Sequence, residues 1–202
     1  MMATETLALH QPDWLAAEMP PGYRNRLEEL QRLSRELEEL GRFGRLLCAV
    51  GPELGDAVRD MLLALELDTV AAPEGDGSSI VVKLDSGRRL FLYVSPSDHP
   101  VQRRSQELAH VFQIIHEQVT DGDRVVLIAN HSPSVRPAER RDGVDAEAAG
   151  LLKRLGANYV AGPTLFTLWS LSLQDRTRAQ AVFDRLHAQD GGVFLMPQLV
   201  GV

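Results

Sequence analysis

The feature that most constrains the fold is a pair of apolar segments separated by a short polar turn. Residues 80–82 read Ile-Val-Val and residues 90–94 read Leu-Phe-Leu-Tyr-Val, with Asp-Ser-Gly at 85–87 between them. Near-continuous apolar runs bounded by turn residues are typical of central β-strands that are covered on both faces. The pattern therefore predicts a hairpin at the centre of a sheet with packing on both of its sides.

Helical patterns lie on either side of this hairpin. Pro52 suits the first position of a helix, because its missing N–H would be unsatisfied there anyway. Apolar residues then recur on one helical face at Leu54, Ala57, Val58, Met61, Leu62 and Leu65. A second helix is predicted over residues 100–119, with Val101, Leu108, Val111, Phe112, Ile115 and Val119 directed inward.

The order of the remaining elements sets the fold class. A strand near residues 68–72 precedes the hairpin, and strands over 124–130 and 157–162 alternate with helices, one of which ends at Gly156. Three consecutive strands require antiparallel pairing, whereas strands joined by helical crossovers are parallel to their neighbours. The prediction is an α/β protein, a three-layer sandwich with a central mixed β-sheet and an N-terminal helical extension.

Composition limits the classes of function. A chain of 202 residues with 44% hydrophobic content can bury one good core, and a net charge of −7 argues against a protein that coats nucleic acid. Cys48 is alone, which excludes an intrachain disulfide framework and a Cys-rich zinc site. With no signal-peptide pattern and no apolar run long enough for a membrane span, the expected location is cytoplasmic, without membrane contact.

The N-terminal region predicts an interaction element. Residues 1–21 read as an extended arm, residues 22–44 as an amphipathic helix, and residues 45–202 as the α/β domain. The helix carries a narrow apolar seam spaced by threes and fours, formed by Leu27, Leu30, Leu33, Leu37 and Leu40. A seam of two heptads is too short for a stable coiled coil that stands free of the rest of the protein. Two interpretations therefore remain: the helix packs on its own domain, or it makes a homo-oligomer contact.

The element order αβββαβ resembles the core of the PD-(D/E)xK (restriction-endonuclease-like) superfamily, and most of all a bacterial branch with an N-terminal helical segment. The resemblance covers residues 46–173. It is carried by "GPELGDAVRDMLLALELDTV", by the hairpin, and by "VVLIANHSPSVRPAERRDG" followed by "AEAAGLLKRLGANYVAGPTLFTL". In active members a strand Asp and a Glu-x-Lys hold a metal ion and a water, and many add a Glu from the first core helix.

The matching positions in this chain have lost that chemistry. The helix Glu falls at Gly55, the Asp at Ser79, the Glu at Tyr93 and the Lys at Ser95. The resemblance thus implies a catalytically inactive domain with no metal and no cofactor, acting as a scaffold or assembly subunit that contacts a protein partner or itself. The alternative is a divergent DNA nuclease, in which relocated residues hold Mg²⁺. Asp76, Asp98 and His99 are the candidates for that relocation.

Two basic clusters lie near this region. Arg103 and Arg104 are predicted in the first turn of the helix that follows the hairpin, and Arg136, Arg140 and Arg141 in a polar loop. On a nuclease scaffold they would face a phosphate backbone, so a non-cleaving nucleic-acid-binding protein is a further alternative. Solvated surface is the favoured reading, because Glu139, Asp142 and Asp145 neutralise the loop.

Overall fold

The computed structural model describes residues 18–71, 79–84 and 86–196. Most of the predicted arm over 1–21, together with Asp76 and Asp85, lies outside these ranges. By its internal contacts the chain divides into one unit at residues 1–41 and a second at residues 42–202. None of the helices in the described ranges combines the length and apolar character needed to cross a bilayer.

The helices and strands follow the predicted order. The first half contains α1 (Tyr23–Arg42), α2 (Arg45–Cys48), α3 (Gly51–Ala64), β1 (Asp68–Ala71), β2 (Ser79–Lys83) and β3 (Arg89–Val94). The second half contains α4 (Gln106–Glu117), β4 (Arg124–Ala129), a 3-10 turn (Pro137–Glu139), α5 (Ala146–Leu155), β5 (Ala157–Ala161), α6 (Gly162–Ser172), α7 (Arg176–Ala188) and β6 (Gly192–Val193). The structure therefore confirms an α/β protein with a long N-terminal helix.

The described strands form one mixed sheet in the order β1-β2-β3-β4-β5-β6. The pairs β1–β2 and β2–β3 are antiparallel, and the pairs from β3–β4 to β5–β6 are parallel. This confirms the pairing predicted from the three consecutive strands and the helical crossovers. The carboxyl ends of β3, β4 and β5 consequently meet at one edge of the sheet.

Two apolar cores cover the two faces of the sheet. Ile80 and Val82 point into one core with α2, α3, α6 and α7, whereas Val81 points into the other with α4 and α5. The alternation follows from the two-residue side-chain period of a strand. It explains why β2 and β3 read as continuous apolar runs, and it gives the three layers expected from the sequence.

The prediction of a helix over residues 100–119 was wrong about where the helix begins. The backbone of Val101 pairs instead with the segment before α5, since its N–H donates to Gly143 and its carbonyl accepts from Asp145. α4 begins at Gln106, and the Oγ of Ser105 accepts a hydrogen bond from the N–H of Gln102. Arg103 and Arg104 therefore lie in a loop and not in a helix.

The buried face of α4 also differs from the prediction. Phe112 is 57% exposed and stacks on His116 at the surface, whereas Ile114 is buried. The inward residues are Leu108, Val111 and Ile114, with Ile115 partly buried. The later start of α4 does not explain this difference, because it leaves the spacing of these residues unchanged. The prediction simply assigned Phe112 to the buried face of the helix in place of Ile114.

A buried carboxylate connects the start of β3 to the turn before β4. Asp123 accepts hydrogen bonds from the backbone and the guanidinium of Arg89 and from the backbone and hydroxyl of Thr120. Burial alone would raise the pKa of Asp123. The bonds from Arg89 and Thr120 outweigh it and lower the pKa to about 2. The charged form of Asp123 therefore stabilises the fold.

We expect Asp123→Asn to lower the melting temperature by roughly 5 to 10 °C at pH 7, because a pKa held at about 2 corresponds to about 2 to 3 kcal/mol of stabilisation of the charged form. The folded pKa lies below the unfolded one, so this stabilisation is present above about pH 4 and is lost as the pH falls toward 2. Thermal unfolding of wild type and variant should converge over that window. Asp121→Asn, an exposed neighbour, is the matched control, and a difference that does not change with pH would contradict the assignment.

Candidate functional site

Of the four positions matched to the nuclease motif, three lie near one another. Ser79 pairs with Tyr93 across β2 and β3, and Ser95 directly follows β3. Gly55 lies on α3, whose buried residues belong to one core, whereas Tyr93 belongs to the core on the opposite face. A Cβ on Gly55 would meet only Arg59 Nη1, at 3.7 Å. The structure therefore brings Ser79, Tyr93 and Ser95 together and leaves Gly55 on the other side of the sheet.

Ser95 is fixed by its backbone at the carboxyl edge of the sheet. Its N–H donates to the carbonyl of Ile128 at 2.8 Å, and its own carbonyl accepts from the N–H of Gly51 at 3.3 Å. Its hydroxyl accepts from the N–H of Ser97 at 3.1 Å. The hydroxyl of Ser95 is therefore free to donate its own proton, and it does so to a residue on the neighbouring helix α4.

That neighbour is Glu107, a residue the sequence-based prediction missed. Ser95 Oγ donates to Glu107 Oε1 at 3.0 Å, and Glu107 is only 8% exposed. Glu107 lies at the second position of α4, and it shares a helical face with Val111 and Ile114, four and seven residues later. A carboxylate on an apolar stripe was the signal that could have located it. A carboxylate therefore does lie beside the degenerate position Ser95, contrary to expectation.

The charge of Glu107 is poorly compensated. Within the described ranges no Lys, Arg or His nitrogen lies within 4.0 Å of its carboxylate. Its place in the first turn of α4 contributes a favourable interaction of about 0.3 to 2 kcal/mol with the helix dipole. Withdrawing a carboxylate from water costs several kcal/mol. The helix dipole and the hydroxyl of Ser95 offset part of that cost, and Oε2 of Glu107, which is not fully buried, stays open to the solvent.

Glu107 opens onto a groove of about 320 Å³, lined by Tyr93, Pro96, Ser97, Gln106 and Glu107. The ring of Tyr93 packs against the imidazole of His110, with centroids 4.3 Å apart. The volume is at the lower end of the range for small-ligand sites. The groove thus combines one buried anion with an aromatic wall, and it coincides with the place where the resemblance puts the degenerate motif.

No protein-family model, curated protein or solved structure matches the chain. The likeness to the PD-(D/E)xK superfamily consequently rests on element order and spacing alone.

The candidates for relocated metal ligands are exposed. The side chain of His99 is 86% exposed and that of Asp98 is 53% exposed, and the two pair with each other at 3.4 Å. Asp76, the third candidate, lies outside the described residues. Among the residues that are described, no group of three or more His, Cys, Asp or Glu is close enough to hold a metal ion. Neither Asp98 nor His99 contacts Glu107 in the hydrogen bonds and ion pairs of the described chain.

The basic residues divide into two kinds. Arg103 and Arg104 are exposed, and Arg103 Nη1 lies 3.5 Å from Glu147 Oε2 in a solvated ion pair. Arg140 is different, because its guanidinium donates to the carbonyls of Leu47, Pro133 and Val135 and to Asn130. Burial lowers the pKa of Arg140 below its ordinary value. Reading Arg140 as solvated surface or as a phosphate contact was therefore wrong: its donors are already used inside the molecule.

Two further buried polar groups lie at the same edge of the sheet. His131, which follows β4, directs Nε2 to the carbonyl of Arg141 at 2.5 Å, while its Nδ1 and the hydroxyl of Tyr159 have no hydrogen-bond partner among the described residues. Burial raises the pKa of Tyr159 to about 12, although Arg140 acts in the opposite direction. A Cβ on Gly143 would collide with both side chains. The backbone of Gly143 thus lies directly against both side chains.

The seam leucines of α1 form an exposed apolar face. Leu30, Leu33, Leu37 and Leu40 are between 48% and 71% exposed, and α1 contains no buried residue. Leu27 is partly buried. The helix is stabilised on its polar side by an ion pair between Arg32 and Glu36, with nitrogen and oxygen 2.7 Å apart. The predicted amphipathic helix is thus present, and its apolar side faces solvent in the described chain.

Proposed function

We propose that the chain is a catalytically inactive, nuclease-like domain of the PD-(D/E)xK type that acts through contact with other proteins, including a second copy of itself. One feature supports the loss of catalysis: the matched positions Gly55, Ser79, Tyr93 and Ser95 carry no carboxylate or lysine. The element order and the mixed sheet support the fold assignment.

The exposed leucine face of α1 is the observation that carries the proposal. Burying a leucine side chain is worth roughly 1.5 to 3 kcal/mol. Four leucines exposed by 48% or more therefore represent a large unfavourable contact with water, and most of the stability of an amphipathic helix comes from packing of its apolar face. Pairing of two such helices removes the seam from water and explains its narrow three-four spacing.

We expect the wild-type chain to show by light scattering the mass of a dimer, twice the 22.3 kDa of one chain, and the double variant Leu30→Glu/Leu37→Glu to be monomeric. Two charges per helix placed in the seam should weaken association by at least about 100-fold. Leu63→Glu is the matched control, because Leu63 is 64% exposed on α3 and lies outside the seam. Its mass should equal that of the wild type.

Two outcomes would count against self-association through α1. One is a wild-type protein that stays at 22.3 kDa at concentrations of hundreds of micromolar. The other is a double variant that keeps the dimer mass while circular dichroism shows a folded protein. In either case the seam would serve a different protein partner or none.

A second candidate function is favoured by one observation, the carboxylate of Glu107 beside Ser95. In this reading the domain is a divergent metal-dependent nuclease whose carboxylate is on α4. A plasmid-nicking assay with Mg²⁺ and with Mn²⁺ separates the two functions. EDTA-sensitive cleavage that is lost in Glu107→Gln would support the nuclease and overturn the inactive reading. We expect no cleavage above that of a buffer blank.

A further inference from the structure

The groove at Glu107 has the properties of a binding site for an organic cation. Glu107 is 8% exposed, and among the described residues its carboxylate has one hydrogen-bond donor, the hydroxyl of Ser95. Within the described ranges no basic side chain lies within 4.0 Å of it. No described residue donates to Oε2 of Glu107, and this oxygen is not fully buried, so it is available to a donor that enters the groove.

The ligand set argues for an organic cation over a metal ion. Divalent ions such as Mg²⁺ and Ca²⁺ take six or more oxygen ligands, usually with several carboxylates. Among the described residues that line this groove, Glu107 supplies the one carboxylate, and the others are Tyr93, Pro96, Ser97 and Gln106. A single carboxylate with hydroxyl and amide neighbours does suit a guanidinium, which donates several hydrogen bonds in a plane.

The shape of the groove points the same way. Its volume of about 320 Å³ is close to ten times the volume that one water takes in the liquid, enough for an extended side chain. Tyr93 lines one wall of the groove, although it is only 6% exposed and its ring packs against His110, and a weakly hydrated guanidinium loses little water at such an apolar wall. The compact, strongly hydrated ammonium of lysine gains less from such a wall.

We infer that this groove binds an arginine side chain presented by a protein partner, with Glu107 as the counter-charge and Ser95 holding its carboxylate in place. The inference rests on the proposed function in taking the partner to be a protein. The position occupied by a metal site in active relatives of the proposed fold would then serve recognition. The net charge of −7 agrees with a basic partner segment.

The test uses N-acetyl-arginine methylamide as the probe and N-acetyl-citrulline methylamide as its neutral isostere. Both are titrated into the ¹⁵N-labelled full chain and followed by amide chemical shifts. We expect saturable shifts at Ser97, Gln106 and Glu107 with the arginine probe, with a dissociation constant on the order of 1 mM, and at least about ten-fold weaker binding of the citrulline probe.

Glu107→Gln keeps a hydrogen-bonding acceptor for Ser95 and removes the charge, so it should fold and lose at least about ten-fold in affinity for the arginine probe. Glu117→Gln, at the exposed end of the same helix, should bind as the wild type does. Equal shifts with both probes, or no saturation up to tens of millimolar, would overturn the inference. Saturation by Mg²⁺ at the same amides would overturn it in favour of the nuclease reading.

The failure of this inference can be told apart from that of the proposed function. If the protein is dimeric and does not cleave plasmid DNA, but the groove does not bind the arginine probe, only the arginine site is refuted. A protein that cleaves DNA refutes the proposed function, whatever the probe does.

Discussion

We expect Gly162→Ala to lower the free energy of unfolding by about 3 kcal/mol and the melting temperature by roughly 6 to 12 °C. Gly162 is the first residue of α6, and a Cβ there would collide with the carbonyl oxygen of Leu46 and lie 3.1 Å from Cγ of Asn130. Neither atom can rotate away at low cost, because the carbonyl belongs to the backbone and Asn130 is 1% exposed and donates to that same carbonyl. The substitution therefore separates α6 from α2.

Gly150→Ala is the matched control for this prediction. Gly150 lies in the middle of α5, and a Cβ there would meet no atom within 4 Å. Alanine should stabilise that helix by about 0.5 to 1 kcal/mol, because it loses less backbone entropy. Chemical denaturation of both variants checks the pair. A Gly162→Ala protein as stable as the wild type would show that α2 and α6 do not approach closely here.

Elements governed by local pattern could be predicted from the sequence. The stripe from Leu54 to Leu65 is buried as expected, and Gly156 ends α5 in the left-handed conformation with φ of 66°. Continuous apolar strands gave the sheet its central position because both of its faces are covered. In each case the physical cause lies within a few residues of the chain, which is why the pattern was sufficient.

Features that depend on distant neighbours could not be predicted. Val101 continues an apolar spacing that suits a helix, and only its pairing with Val144, more than forty residues later, makes it extended. The requirement for glycine at Gly162 likewise arises from the carbonyl of Leu46. A local pattern does not contain these contacts, and tertiary packing overrides propensity where they form.

The candidate site was predicted in part for a related reason. Matching positions to a motif located Tyr93 and Ser95, which the structure places at the groove. Glu107 lies on the helix after β3, at none of the positions matched to the motif, so motif matching did not find it. Its burial follows from the packing of α4 on the sheet, which brings the first turn of that helix against the end of β3.

We also expect Arg140→Met to destabilise the protein by about 3 to 5 kcal/mol, the largest effect predicted for this chain. α2 has only four residues, so its last carbonyls lack partners within the helix. Arg140 donates to the carbonyl of Leu47 at 2.6 Å, and Asn130 donates to those of Leu46 and Ala49 at 3.3 and 2.9 Å. Two side chains more than eighty residues away thus cap this helix.

The two capping side chains are themselves joined, since Arg140 Nη1 donates to Asn130 Oδ1 at 2.5 Å. Removal of Arg140 leaves that oxygen and three backbone carbonyls without their donor, and each buried acceptor left unpaired costs about 1 to 3 kcal/mol where water cannot reach it. The double variant Asn130→Leu/Arg140→Met should therefore be more stable than the sum of the single variants predicts, by about 1 to 2 kcal/mol.

Arg141→Met separates this role from that of a surface charge. Arg141 is the exposed neighbour of Arg140 and makes no side-chain hydrogen bond or ion pair in the described chain, so its replacement should change the free energy of unfolding by no more than about 0.5 kcal/mol. Urea denaturation of Asn130→Leu, Arg140→Met, Arg141→Met and the double variant gives the free energy of unfolding of each, and hence the coupling between Asn130 and Arg140. Equal stability of Arg140→Met and Arg141→Met would mean that α2 is capped by solvent and that the guanidinium of Arg140 is free to contact a partner.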